Sequence, residues 1–332
     1  MKKNVSHFYF GYRVYEKSTE NRTIDHTTIE MEVPVYSKRA GLFRNPAVRR
    51  ELRQLDPERD YQRMVQLLVG YEFPFDITRA LELALFHTYA SPRTSALLMR
   101  TGEFEKHGQK RYDDTGILIA WFMQYGLNTE TGLRAITHMN RLHGFYSIPN
   151  EDFLLVLSTF IFYPINWINR YGWRKLTTAE ERAFFLFFRE VGQRMNLTDI
   201  PETIEDLKAF TDAYEAEHFR YADSNRQVAD STVRIVEGWF PKPLRFAVKP
   251  VFSALINDKL REAFGYRRPA AWFCNLLEGS FWLRKWPLRW ITFKPYPMLV
   301  ENTVHRSYKN GLPAIEELGP TKLLAKEQRQ RK

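Results

Sequence analysis

Only one cysteine, Cys274, stands in 332 residues. That count excludes an internal disulfide framework, a cysteine-rich zinc site, an iron–sulfur cage and the C-x-x-C-H attachment of c-type haem. It fits a reducing compartment. No stretch approaches ~18 charge-free apolar residues; the nearest, 153–168, carries Pro164 and Asn166 and runs into Asn169 and Arg170. The opening MKKNVSHFYFGYRVYEKS sets two lysines before aromatics without an unbroken apolar segment behind them, so no secretion signal is read. The expected location is cytoplasmic, peripheral on a membrane. Also missing are the phosphate-binding loops G-x-G-x-x-G and G-x-x-x-x-G-K-[ST], strands that alternate with helices, and the G-x-S-x-G elbow of serine hydrolases. A nucleotide-binding α/β fold and a hydrolase of that kind are therefore not expected.

What is present is apolar and basic. Hydrophobic residues make up 44% and aromatics 15% of the chain, enough for a large core. Lys and Arg total 49 against 39 Asp and Glu, a net charge of +10. Residues 234–332 hold 19 basic and 8 acidic residues, a net of +11, which leaves 30 basic and 31 acidic elsewhere. The excess is C-terminal. Within it Trp282, Trp286 and Trp290 recur every four residues among Arg284, Lys285, Arg289 and Lys294, while prolines 287, 295 and 297 argue against a long regular helix. Indoles beside cations suit the boundary between lipid head groups and acyl chains, which gives peripheral membrane contact through 272–298. The same residues also suit a wrap that completes the core while its basic ends reach water. No nucleic-acid-binding module accompanies the charge, so nucleic acid is not an expected partner.

Residues from about 4 to 45 carry a weak period of two, read as a short hairpin or extended arm. From there the period becomes helical: Met64, Leu67, Leu68 and Tyr71, then Leu81, Leu85 and Leu97 within a helix expected over 77–98. Further helices are expected at 113–126, 131–144, 151–169, 178–195, 203–222, 225–238 and 251–264. Thr177 and Glu180 form a capping-box pattern, and Gly126, Gly144 and Gly172 fall where helices should stop. The expectation is a single all-α domain: an arm over 1–45, a core over 46–238 and a basic, aromatic-rich part over 239–332 packed on it.

Among eight histidines the informative ones lie in THMNRLHGFY, 137–146. His138 and His143 are five apart, about 140° around a helix, a poor pair for one metal. A lone imidazole in an apolar helical protein suits two roles, a core histidine bonded to a carbonyl or the axial ligand of haem iron. Arg111 and Thr115, one turn apart, share a helix face. A helical di-iron site needs two Glu-x-x-His motifs, and only Glu215-x-x-His218 occurs. Cys274, beside Trp272 and Phe273, reads as a buried thiol.

The strings YEFPFDITRALELALFHTYASPRTSALLMRTGEF (71–104), KRYDDT (110–115), HMNRLHGFYSIPNEDFLLVLSTF (138–160), YGWRKLTTAEERAFF (171–185) and GQRMNLTDIP (192–201), in this order, resemble the rubber-oxygenase catalytic-domain family. The likeness covers roughly 45–230 and is closer to the fungal ER-bound oxygenase branch of the mycophenolic acid pathway than to the secreted rubber-cleaving branch. The resemblance implies a globin-like helical core around a haem b pocket. It implies oxidative cleavage of C=C bonds by dioxygen in a hydrophobic, isoprenoid- or lipid-like substrate. His143 matches the family's axial histidine, and Arg111 and Thr115 match an Arg-x-x-x-Thr element of the haem pocket. A guanidinium suits a haem propionate or bound dioxygen, and a threonine hydroxyl is a donor to that oxygen. The rubber-cleaving relatives carry lysine where this chain has Asp114, which implies a different distal pocket. They also place a catalytic glutamate upstream of the arginine, where this chain offers Glu103 and Glu105. The alternative on the same scaffold is a non-catalytic, membrane-associated haem- or lipid-binding protein.

Overall fold

The computed structural model describes residues 8–9, 12–13 and 35–324. Within the expected N-terminal arm, Phe8–Tyr9 (β1) pairs antiparallel with Tyr12–Arg13 (β2); the rest of the arm before residue 35 lies outside the described residues. Every regular element described after the arm is helical. The chain forms α1 (Pro46–Gln54), α2 (Pro57–Leu67), a π-helical turn at Leu68–Glu72, α3 (Pro74–Thr88), α4 (Pro92–Thr101), α5 (Glu103–Lys106) and α6 (Gly108–Tyr125). It continues through α7 (Glu130–His143), α8 (Asn150–Tyr171), α9 (Thr178–Arg194), α10 (Ile204–His218) and α11 (Asp223–Glu237) to α12 (Val248–Leu255), α13 (Asp258–Phe264) and α14 (Ala271–Leu288).

Local chemistry sets most of these limits. Helices α1 and α2 each begin with proline at the first position, where its missing N–H is not needed, behind Asn45 and Asp56, whose side chains accept from Ala47 N and Glu58 N at 3.0 Å. The capping box at α9 is complete: Glu180 N donates to Thr177 Oγ1 at 3.2 Å, and Thr177 N donates to the Glu180 carboxylate at 2.8 Å. Helices α6, α7 and α8 stop one residue before Gly126, Gly144 and Gly172.

Four expectations are corrected. The helix over 77–98 is two, because Pro92 opens α4 and holds Ser91 extended at φ −80°, ψ 119°. The pattern through Tyr71 leaves the α-helix at Leu68 for a π-helical turn. The run 251–264 breaks at Ile256 and Asn257, where Asn257 caps α13 by accepting from Leu260 N at 2.9 Å. Conversely α14 is one helix of 18 residues, since Pro287 falls in its last turn, where the helix is about to end.

The main core lies where α2 packs on α9 and α3 on α8, around Phe73, Phe184, Phe185, Phe187 and Phe188. Helix α8 is long and apolar enough by composition to cross a membrane, yet two thirds of its most apolar window is buried inside the protein. Its Leu154, Leu157, Ile161 and Ile168 fill the core. A second apolar cluster joins α3 to α11, α12 and α13 through Phe86, Val228, Ala229 and Phe264. A third sets Ile117, Leu118 and Trp121 of α6 against Val300, Ile315 and Leu318. The chain beyond α14 thus lies as a strap across α6.

The π-helical turn is tied down by charge. Arg174 reaches Glu72 at 2.8 Å and Glu180 at 2.7 Å, both carboxylates being buried, and Trp173 Nε1 donates to Glu72 O at 3.0 Å. Burial lifts the Glu72 carboxyl above its usual range, and the charges of Arg174 and Arg44 oppose the lift. Removing one partner of such a cluster leaves buried charge uncompensated. Arg174→Met should therefore lower unfolding free energy by about 3–5 kcal/mol, read from urea denaturation; a change within ~0.5 kcal/mol, as at an ordinary surface site, would show that the cluster does not hold the turn.

Candidate functional site

The helical hairpin of α6 and α7 brings two of the predicted residues, Arg111 and His143, near each other, with Thr115 one turn further along α6. Gly126 ends α6 at φ +89°, and Gly132 lies so close behind it that a Cβ there would stand 1.9 Å from Gly126 O. Only glycine permits that approach. Thr129 closes the turn, accepting from Gly132 N and donating to Gly126 O, both at 3.1 Å. The two helices then run back along each other, placing His143, the last residue of α7, near Arg111 in the first turn of α6.

The two histidines of α7 separate by environment. His138 is buried and engaged at both nitrogens: its Nε2–H donates to Leu318 O at 2.7 Å, and Arg141 donates to its Nδ1 at 2.9 Å. It is a structural residue that holds the strap. His143 differs in that its Nδ1 is buried without a hydrogen-bond partner among the described residues. Its ring packs on Phe153, with centroids 5.1 Å apart. Burial, and then the nearby Arg111 charge, push its pKa down to about 4, so the imidazole is neutral at pH 7.

Arg111 is half-buried and makes no ion pair among the described residues; its guanidinium lies over the Phe104 ring at 4.7 Å. Its charge is felt by Tyr89, Tyr146 and His143. Burial raises the Tyr89 hydroxyl to about 12 in spite of that charge. Thr115, half-buried and one turn further along α6, has no hydrogen-bond partner among the described residues. The arrangement offers a neutral imidazole lone pair, an unpaired cation and a hydroxyl donor beside aromatic walls. Chemically it is equipped to take a metal through nitrogen and an anion through guanidinium.

Residues not singled out from the pattern complete the picture. Phe104 and Phe153 come from α5 and α8, and Tyr146 from the loop after α7. Of the two upstream glutamates, Glu103 is buried and its charge reaches Tyr146, whereas Glu105 is exposed. Asp114 does not face this group. Gly319 N donates to it at 2.9 Å, Lys110 Nζ pairs with it at 2.6 Å, and the Tyr308 hydroxyl bonds to it. A buried carboxylate takes the donors within reach, and here the strap and Lys110 of α6 supply them. Glu215 likewise pairs with His87 at 3.1 Å and Lys259 at 3.3 Å rather than with His218. No group of three metal-ligating side chains occurs among the described residues. Two cavities, of about 600 and 320 Å³, lie beside Trp173 and beside Trp121 and Tyr125; neither is lined by His143, Arg111 or Thr115.

Depression of the His143 pKa ties stability to pH. The native state resists protonation that the unfolded chain accepts near 6.5, so this contribution is complete above pH 6.5 and is lost as pH falls through 4. Between pH 7 and 4 wild type should lose about 3 kcal/mol relative to His143→Leu, measured by denaturation at each pH. Parallel curves for the two proteins would place the ring in contact with water.

A family model described as ER-bound oxygenase mpaB/B'/rubber oxygenase, catalytic domain, matches residues 100–283, starting later and running further than the likeness read over 45–230. The chain is 26% identical over 258 residues to the ER-bound oxygenase mpaB' of Penicillium brevicompactum, covering 72% of this chain and 61% of that protein. It is 28% identical over 213 residues to the ER-bound oxygenase mpaB of Penicillium roqueforti, covering 59% of this chain and 72% of the relative. The match thus spans about three fifths of the length of the first relative.

Proposed function

Because this chain belongs to the family of the ER-bound oxygenase mpaB/B'/rubber oxygenase catalytic domain, we propose that it is a haem b-dependent oxygenase of dioxygenase type, built on a globin-like core. In this reading it cleaves C=C bonds of a hydrophobic, isoprenoid- or lipid-like substrate and associates peripherally with a membrane. The observation that supports the assignment is the juxtaposition of a buried imidazole nitrogen with a half-buried guanidinium, neither of which has a hydrogen-bonding or ionic partner among the described residues. Both are costly in a fold that has no use for them, and both suit an iron porphyrin, which carries a metal and two carboxylates. The fit rests on this donor set and not on a preformed cavity.

When bound, haem supplies the activation of dioxygen that inserts both oxygen atoms across the olefin and leaves two carbonyl groups. The chain supplies the rest. His143 would bind the metal, its ring neutral at pH 7 and steadied by Phe153. Arg111 would meet a carboxylate in a charge-assisted pair. Thr115 presents a hydroxyl donor on the same helix face. Phe104, against the Arg111 guanidinium, and Phe153, against the His143 ring, would shield one side of each from water. Glu103, buried where Glu105 is not, is the carboxylate available to take a proton from substrate.

Protein expressed with a haem precursor should show a Soret band, and His143→Ala should lose it while keeping its helical circular dichroism. Undiminished haem in that variant would remove the ligand assignment. Thr115→Val should retain haem and consume oxygen on a polyisoprenoid more slowly, by about 10-fold or more for a lost transition-state donor. Haem retention without oxygen uptake on any olefin would support the alternative reading, a non-catalytic haem- or lipid-binding protein.

A further inference from the structure

Helix α14 is held by one face and bare on the other. Its inner side is fixed by Arg284, which pairs with the buried Asp76 at 2.7 and 2.8 Å, and by Phe281, whose ring lies 5.3 Å from Trp167 and 4.6 Å from Tyr171. On the outer side Trp272, Leu276, Leu283 and Trp286 fall within about 80° of one another at helical spacing. They are 68%, 65%, 66% and 59% exposed. No charged residue lies within that arc: Glu278 and Lys285 are turned sideways to Arg170. Past the helix end the apolar surface continues through Trp290 and Phe293 to Phe43, whose strand-like bridge to Ile291 joins the two segments.

Trp290 is also a wall of the 600 Å³ cavity, which is cationic. Arg39, Arg49 and Arg289 line it, all exposed and none in an ion pair among the described residues. Its one acidic residue, Glu72, is already bound by Arg174. An apolar, tryptophan-bearing helix face that runs into a pocket of arginines without ion pairs among the described residues, one of them, Arg49, lying over the Trp173 ring at 5.5 Å, is complementary to a surface that is greasy inside and anionic at its rim.

We propose that the outer face of α14 docks into the interface of an anionic phospholipid bilayer, with a lipid phosphate group seated among Arg39, Arg49 and Arg289. The proposal rests on the membrane association read above and specifies the surface and the lipid charge. Tryptophans at the two ends of the stripe lie at head-group depth, and Leu276 and Leu283 between them reach the acyl boundary. Residues 284 and 170, which fasten the helix to the core, stay on the protein side.

The test is co-sedimentation of the full chain with vesicles of phosphatidylcholine alone or mixed with phosphatidylserine, over a salt series. Wild type should bind the mixed vesicles more tightly, with the preference fading as salt rises. Leu283→Glu with Trp286→Ser should lower binding to both vesicle types by ~100-fold, and Arg39→Gln with Arg289→Gln should cancel only the preference for the anionic vesicles, ~5-fold per arginine. All four side chains are exposed, so helical content and melting temperature serve as folding controls. Full vesicle binding by the stripe variant overturns the proposal and leaves membrane association to another surface. Absence of binding by wild type overturns both. A dimer in analytical ultracentrifugation that the stripe variant abolishes, with vesicle binding unchanged, also overturns it and assigns the face to a second copy of the chain. None of these readouts depends on haem or turnover.

Discussion

Two carboxylates cut off from water decide how α6 is seated, and α6 seats the site. Asp113 and Asp114 are both nearly fully buried, and a buried carboxylate must find donors. Besides Gln109 and Lys110 of α6 itself, their donors come from the strap: Ser307 N to Asp113 at 2.8 Å, Gly319 N to Asp114 at 2.9 Å, and the Tyr308 hydroxyl to Asp114. His138 of α7 bonds to Leu318 of the same strap. Both helices of the hairpin are thereby clamped from one side. Away from that side Arg111 meets Phe104 of α5 and His143 meets Phe153 at the start of α8. The clamp explains why a residue of the conspicuous RYDDT string has a structural duty while its neighbours three residues back and one ahead are available for chemistry.

The arginines divide in the same way. Arg174 lies between two buried carboxylates, Arg284 on Asp76, and Arg93 on Asp152. Each joins segments distant in the chain and is paired with a buried carboxylate. Arg111, Arg39, Arg49 and Arg289 have no such partner among the described residues. Free cations at the protein surface cost little, since water screens them. Arg111 is different because it is half-buried and acts on a neutral histidine.

The aromatic content serves two ends that composition cannot separate. Phenylalanines of α9 fill the main core, whereas tryptophans of α14 stand outside it. Both read alike in a tally of ring-bearing residues. The distinction arises because α9 is enclosed by α2 and α8, while α14 touches the core along a single face.

Chain chemistry by itself determined whatever depends on residues within one or two turns: the capping box of α9, the proline-led starts of α1 and α2, the ends of α6, α7 and α8 at glycine, and the shared face of Arg111 and Thr115. It also ruled out disulfide, phosphate-loop and nucleophile-elbow chemistry. The breaks at Ser91 and at Ile256 were written in local signals, Pro92 and Asn257, that an apolar period running through them concealed. Tertiary structure alone decided which histidine of α7 would be satisfied, which of Glu103 and Glu105 would be buried, what Asp114 would hold, and that α14 would keep its apolar face outward. Those outcomes depend on burial and on partners as far as 208 residues away. No periodicity in the chain encodes contacts of that range, because desolvation and pairing are properties of the packed neighbourhood and not of the segment.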